Sequence, residues 1–268
     1  GFEVPTMELL WVIPLGLVVG LALGSLGGGG SIMTVPALVY LLGQDPKAAT
    51  TGSLIIVGVT ALIGAIPHYR KGNVQLGRGA VFGALGVLGS YAGARGAAGV
   101  SSHVLLSAFA GLMVVVAVLM ARRLRRAPSA SGAGTAAGPA GGSVRWMPIL
   151  LAASAVGLLT GFFGVGGGFA VVPALVLVLG LPMPVAVGTS LVVIAINSAT
   201  ALASRLGNGV TLDWPVIVGF SAFAVVGSLL GAKVTQRVSP RHLTVAFILM
   251  LVVVAVYMAV MNVPALFS

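Results

Sequence analysis

The chain has 268 residues, of which 58% are hydrophobic and only 7% charged. A soluble protein of this length needs far more charge to cover its surface, so composition alone points to a membrane protein. Cysteine is absent, which excludes thiol chemistry, disulfides and thiolate metal sites. Four acidic residues and three histidines are poor material for a carboxylate-rich metal site, and no cofactor is expected. The net charge of +10 would suit nucleic acid, yet no aromatic-basic cluster of the kind that stacks bases is present. Nucleic acid is therefore not an expected partner, and membrane topology accounts for the basic residues.

Apolar runs fall at 9–26, 32–43, 48–67, 79–99, 102–121, 147–163, 169–181, 185–204, 214–233 and 241–261. Most approach the twenty residues that a membrane-spanning helix needs. The segment 1–8 precedes them. Its acids, Glu3 and Glu8, stand where a cleavable signal has basic residues. Residues 1–6 read as a non-native addition ahead of Met7. Residues 122–146 open on Arg122, Arg123, Arg125 and Arg126 and continue rich in Ala, Gly, Ser and Pro. They read as a flexible linker. The linker separates a first repeat, 9–121, from a second, 147–263, followed by a tail at 264–268.

The two halves resemble each other. GLALGSLGGGGSIMTVPALV from Gly20 matches GLLTGFFGVGGGFAVVPALV from Gly157, an offset of 137. At that offset Ser53 falls on Ser190 and Thr60 on Asn197. Similarity spread over this much chain marks an internal repeat, a common feature of transporters.

Lysine and arginine set the orientation. If each half crosses an odd number of times, the second is inverted. Arg70, Lys71, Arg78, the five arginines from Arg122 to Arg145, Lys233, Arg237 and Arg241 then share one side, against Lys47, Arg95 and Arg205 on the other. That split is eleven to three; an even count would give nine to five. The expectation is an all-α integral membrane protein with two inverted repeats of about five hydrophobic segments, the linker cytoplasmic and both termini external. The run 32–43 would reach only about 18 Å as a helix, against about 30 Å of hydrocarbon. It and its mate 169–181 each read as one arm of a re-entrant hairpin with the preceding run. Two tilted crossings would return the chain to the same side.

The glycine clusters are the most informative feature: Gly27, Gly28, Gly29, Gly30 in one half and Gly164, Gly166, Gly167, Gly168 in the other. Each precedes a proline, Pro36 or Pro173, and a short apolar helix. Glycine allows the backbone to break and present free N–H groups, and the next helix adds its positive end. Together these make an anion site, with Ser31 beside the first cluster. Close helix packing is the plainer explanation of any single cluster, but two equivalent clusters favour a site. The expected geometry has both tips sharing one anion near the membrane centre. Valine at Gly30 or Gly167 should then do more harm than valine at Gly20 or Gly157. A phosphate-loop reading fails, since no lysine and hydroxyl pair follows the glycines.

A second candidate feature is a polar stripe on the helix after each hairpin. Ser53 and Thr60 share one helical face, as do Ser190 and Asn197, with Thr51 and Thr189 nearby. Any one hydroxyl could simply bond its own helix. Asn197 is the best single candidate, because an amide at that depth needs partners. The glycine pairs 20/24, 157/161, 89/93 and 227/231 read as packing faces. His68 reads as part of a cytoplasmic anchor with Arg70 and Lys71, and Arg205 and Asp213 as an external loop.

At these residues the chain resembles the TauE/SafE family of sulfite-exporter-like membrane proteins. The resemblance rests on the two glycine-rich segments, supported by AATTGSL and AVGTSL, and covers both halves. It implies a bacterial inner-membrane exporter of sulfite, sulfoacetate or a similar organosulfonate. Gly28 and Ser31 stand where the second half has Val165 and Gly168, so the two halves need not bind equally. The partners expected are this small anion and membrane lipid; the oligomeric state is not readable. Two other classes fit these residues less well. An intramembrane enzyme would need a buried aspartate pair or a serine with a histidine, and Asp45 and Asp213 both fall in loops. A non-transporting membrane subunit that organises partner proteins would need no polar stripe.

Overall fold

Proline, glycine and aspartate decide where the apolar runs start and stop as helices. The computed structural model describes residues 6–27, 33–97, 99, 101–126, 146–163, 170–205, 209 and 211–266, and no strand occurs among them. Helix α1, Thr6–Leu26, has 21 residues and is about 31 Å long. It ends at Gly27, whose φ of +62° suits glycine and stops the helix. After the glycine cluster, α2 begins as Thr34–Pro36 and continues as a π turn, Ala37–Leu41. Pro36 sits in the first turn, where a missing N–H breaks no helical bond. Gly43, at φ +69°, ends this arm, and the Gln44 N–H closes on the Leu38 carbonyl at 2.9 Å.

The second half repeats this design. Helix α7 is Trp146–Phe163 and α8 is Val171–Leu177, with Pro173 in its first turn. Gly180 has φ +68°, and the Leu181 N–H closes on the Leu175 carbonyl at 3.2 Å. Both short arms, at about 12 Å or less, fall well short of a bilayer core. Leu38 and Leu42 of the first short arm join Val12 of α1 in one buried cluster.

The other runs are long helices. Helix α3, Pro46–Arg70, is capped by Asp45, whose carboxylate accepts the Lys47 N–H at 3.2 Å. Helices α4, Leu76–Leu85, and α5, Val87–Ala97, are a single apolar run interrupted at Gly86. Helix α6 is Ser102–Arg126 and α9 is Met183–Arg205. Helix α10, Trp214–Arg237, is capped by Asp213, and α11 is Pro240–Leu266. Four of these, α3, α9, α10 and the Pro240–Met261 part of α11, are long and apolar enough to cross a membrane.

Packing exchanges the halves. Helices α3 and α9 are the most deeply buried of the four and run antiparallel. Arg205, ending α9, meets Thr50 near the start of α3, and Gly188, near the start of α9, meets His68 near the end of α3. Helix α1 lies parallel to α10, with Gly16, Gly20 and Gly24 against Phe220, Ala224 and Ser228. Helix α7 lies parallel to α4 and α5 in the same way, with Gly157 on Gly86 and Leu158 on Gly93. Helices α1 and α7 therefore each pack on a helix of the other half. Helices α6 and α11 pack together.

The glycine pairs act as packing faces in these contacts. A Cβ at Gly20 would overlap the Ala224 carbonyl, and one at Gly157 the Gly86 carbonyl. Gly24, Gly89, Gly93, Gly227 and Gly231 meet facing backbone just as closely. Small residues let two backbones touch where lipid provides no hydrophobic drive for association. The same contact explains the break at Gly86, which hydropathy does not register: there backbone meets backbone, with the Ala153 carbonyl 3.0 Å from where a Cβ would stand.

Candidate functional site

The hydroxyl stripe is buried, and its hydrogens are largely committed locally. Thr51 Oγ1 donates to the Lys47 carbonyl at 3.0 Å, Ser53 Oγ to Thr50 at 2.7 Å and Thr60 Oγ1 to Ile56 at 2.6 Å. Ser190 Oγ donates to the Val187 carbonyl at 2.6 Å. Thr189 Oγ1 accepts the Gln75 N–H at 3.1 Å, joining α9 to the start of α4. Such back-bonding satisfies a hydroxyl inside an apolar bundle without a ligand.

Asn197 differs. It is fully buried near the middle of α9, and among the described residues neither its Oδ1 nor its Nδ2 has a partner. Its Oδ1 lies 3.2 Å from where a Gly86 side chain would begin, at the junction of α4, α5, α7 and α9. An amide has one acceptor and two donor hydrogens to satisfy, and leaving them unmet in an apolar interior is costly. The equivalent residue, Thr60, satisfies itself on its own backbone.

The first glycine break meets the stripe of the opposite half. A Cβ on Gly27 would overlap Ser190 Oγ and approach the Val187 carbonyl to 2.7 Å. Gly29, Gly30, Ser31, Gly164, Gly166, Gly167 and Gly168 lie outside the described residues. The helix ends leading into the two breaks stand apart. The Gly24 carbonyl is next to His68, and the Gly161 carbonyl next to Arg205. Thr50, beside Arg205, and His68 are separated by about 27 Å along α3. These two helix ends therefore lie toward opposite ends of α3.

Two basic residues occupy places that the sequence reading missed. His68 is fully buried, not an exposed anchor, and its Nε2 donates to the Gly24 carbonyl at 2.7 Å. Arg205 is half-buried, not free in a loop. Its Nη2 donates to the Gly161 carbonyl at 2.9 Å, and its Nη1 to Thr50 Oγ1 at 3.0 Å and to Thr51 Oγ1 at 3.5 Å. His68 and Arg205 are 137 residues apart, as are Gly24 and Gly161. The repeat offset was the signal that could have paired them.

Residues 12–258 match the family model described as sulfite exporter TauE/SafE. The chain belongs to the TauE/SafE family. Curated relatives cover nearly its whole length. A Xylella fastidiosa protein named a probable membrane transporter protein is 33% identical, over 93% of this chain and 94% of its own. The Bacillus subtilis probable membrane transporter protein YunE is 28% identical, over 93% and 96%. A Methanocaldococcus jannaschii protein of the same description is 24% identical, over 94% and 97%. No solved structure matches significantly. As a TauE/SafE member with several long apolar helices, the chain is a multi-pass membrane protein, and its family is one of transporters, not enzymes.

Proposed function

We propose that this chain exports a small sulfur-containing oxyanion, sulfite or an organosulfonate, across the bacterial inner membrane. Family membership over residues 12–258 supports the substrate class. The observation that carries a pathway through the protein is Asn197, an amide buried at mid-helix with no partner among the described residues. A purely structural subunit would gain nothing from an orphan amide there. We place the anion near the bilayer midplane, between the two glycine-rich breaks and beside Asn197.

The antiparallel pairing of α3 with α9 supports an inverted repeat. Equivalent helices related by an axis along the membrane normal would run parallel. The unequal hairpins, α1 with α2 and α7 with α8, fit re-entrant elements whose broken backbone is shielded by protein. In this arrangement the linker is cytoplasmic and both termini are external, in line with the basic residues. Export then follows the membrane potential, since each negative charge leaving an interior-negative cell gains about 2.3 kcal/mol per 100 mV.

Reconstitution tests the reading. Liposomes bearing the purified protein should take up sulfite or an organosulfonate faster than protein-free liposomes, with sulfate and chloride as competitors. Equal rates for every sulfur oxyanion in both preparations would remove the proposal.

A further inference from the structure

We infer that Arg205 is a charged binding residue for the transported anion, and that His68 marks the equivalent station at the opposite end of the α3–α9 pair. This rests on the transport reading above.

Arg205 brings a full positive charge into the bundle. A guanidinium stays protonated and carries five N–H donors. Burying it in a membrane bundle is expensive unless something neutralises it. No carboxylate pairs with Arg205 among the described residues. The carbonyl ends of α7 and α9 supply partial negative charge, whereas the start of α3 adds partial positive charge. Thr50 and Thr51 each give their hydrogen to the Lys47 carbonyl, so toward Arg205 they act as acceptors. The Nε hydrogen remains, buried and without an acceptor among the described residues. A guanidinium with an unused N–H and an incompletely balanced charge is suited to an oxyanion, which supplies both acceptor and charge.

The repeat gives an independent observation. His68 has the same contact, on the equivalent glycine carbonyl, at the other end of the bundle. Because that carbonyl can only accept, Nε2 holds the hydrogen. Nδ1 is left buried without a partner among the described residues, in a side chain with no exposed surface. Each glycine-rich break thus has, beside the helix end that leads into it, a basic side chain with one nitrogen unused. If the contacts served only to tie helices together, neither leftover nitrogen would be needed. The two stations differ in one respect: arginine is a fixed charge, whereas histidine can gain or lose its own.

Sulfite uptake into proteoliposomes, measured against concentration, tests this with Arg205→Gln, Arg205→Lys, His68→Gln and Arg95→Gln. Arg95 is exposed and stacks on Tyr91, so its loss changes net charge equally without touching the site. Removing a charge-assisted hydrogen bond should raise the KM of Arg205→Gln about ten- to hundredfold. Arg205→Lys, which keeps the charge and loses the fork, should fall between, and Arg95→Gln should match the unmodified protein. His68→Gln keeps a donor for Gly24, removes Nδ1, and should also raise KM. Sulfite should raise the Tm of the unmodified protein and of Arg95→Gln but not of Arg205→Gln. A lower Tm in Arg205→Gln or Arg205→Lys, with unchanged KM and unchanged stabilisation by sulfite, would make Arg205 a structural tie and overturn the inference. Failure of the unmodified protein to move any sulfur oxyanion would instead remove the transport reading.

Discussion

Gly27 lies so close to Ser190 that a side chain on the glycine would occupy the place of the serine hydroxyl. The contact joins the first glycine break to the polar stripe of the opposite half. Gly27 also has φ +62°, a conformation costing an L-residue about 1–2 kcal/mol. Gly27→Ala should therefore lower both Tm and transport, and Gly27→Val should lower them further. Adding Ser190→Ala relieves only part of the loss, because the Val187 carbonyl remains 2.7 Å from the new Cβ. Full recovery in the double variant would show that the backbone there is not constrained.

Valine at Gly20 or Gly157 should prevent assembly, since the facing atoms are backbone carbonyls of Ala224 and Gly86. Neither is then a mild control for changes at the glycine clusters, contrary to the expectation from sequence. Gly111, in α6, faces open space. Gly111→Ala should be neutral or stabilising by about 0.5–1 kcal/mol, through helix propensity alone. Membrane abundance and melting temperature of the three variants check this ordering.

Much of this architecture was legible in the chain. The apolar runs mark the helices because length and hydropathy suffice, and the offset of 137 pairs the halves. The small-xxx-small glycines marked backbone contacts because only hydrogen fits there. The break at Gly86 was hidden, since the run is apolar on both sides of it and the cause lies in α7. Arg205 and His68 were misread because charge near the end of an apolar run usually means solvent. Here the ends of α1 and α7 lie against them. That α1 packs on α10 rather than on a near neighbour is a tertiary fact with no local signature.

Asn197→Leu should separate stability from function. The amide makes no hydrogen bond to any described residue, so leucine orphans no partner there and the Tm should hold or rise. Transport should fall if the amide faces the anion. Unchanged flux at equal abundance would return Asn197 to a packing role.

Cysteine scanning checks orientation cleanly on a chain without cysteines. Lys71 and Thr211 are both exposed, on opposite sides of the proposed arrangement. In intact cells an impermeant thiol reagent should label Thr211→Cys and spare Lys71→Cys and any cysteine placed in the linker. Labelling in the opposite sense would invert the orientation, and labelling of both sites would abolish the odd number of crossings per half.

The central claim is transport of a small sulfur oxyanion, and its most direct test is uptake of sulfite by liposomes containing only this protein. The account predicts saturable uptake that depends on protein, is competed by organosulfonates and is weakened in Asn197→Leu. Uptake no faster than in protein-free liposomes, for sulfite and for sulfoacetate alike, would contradict it.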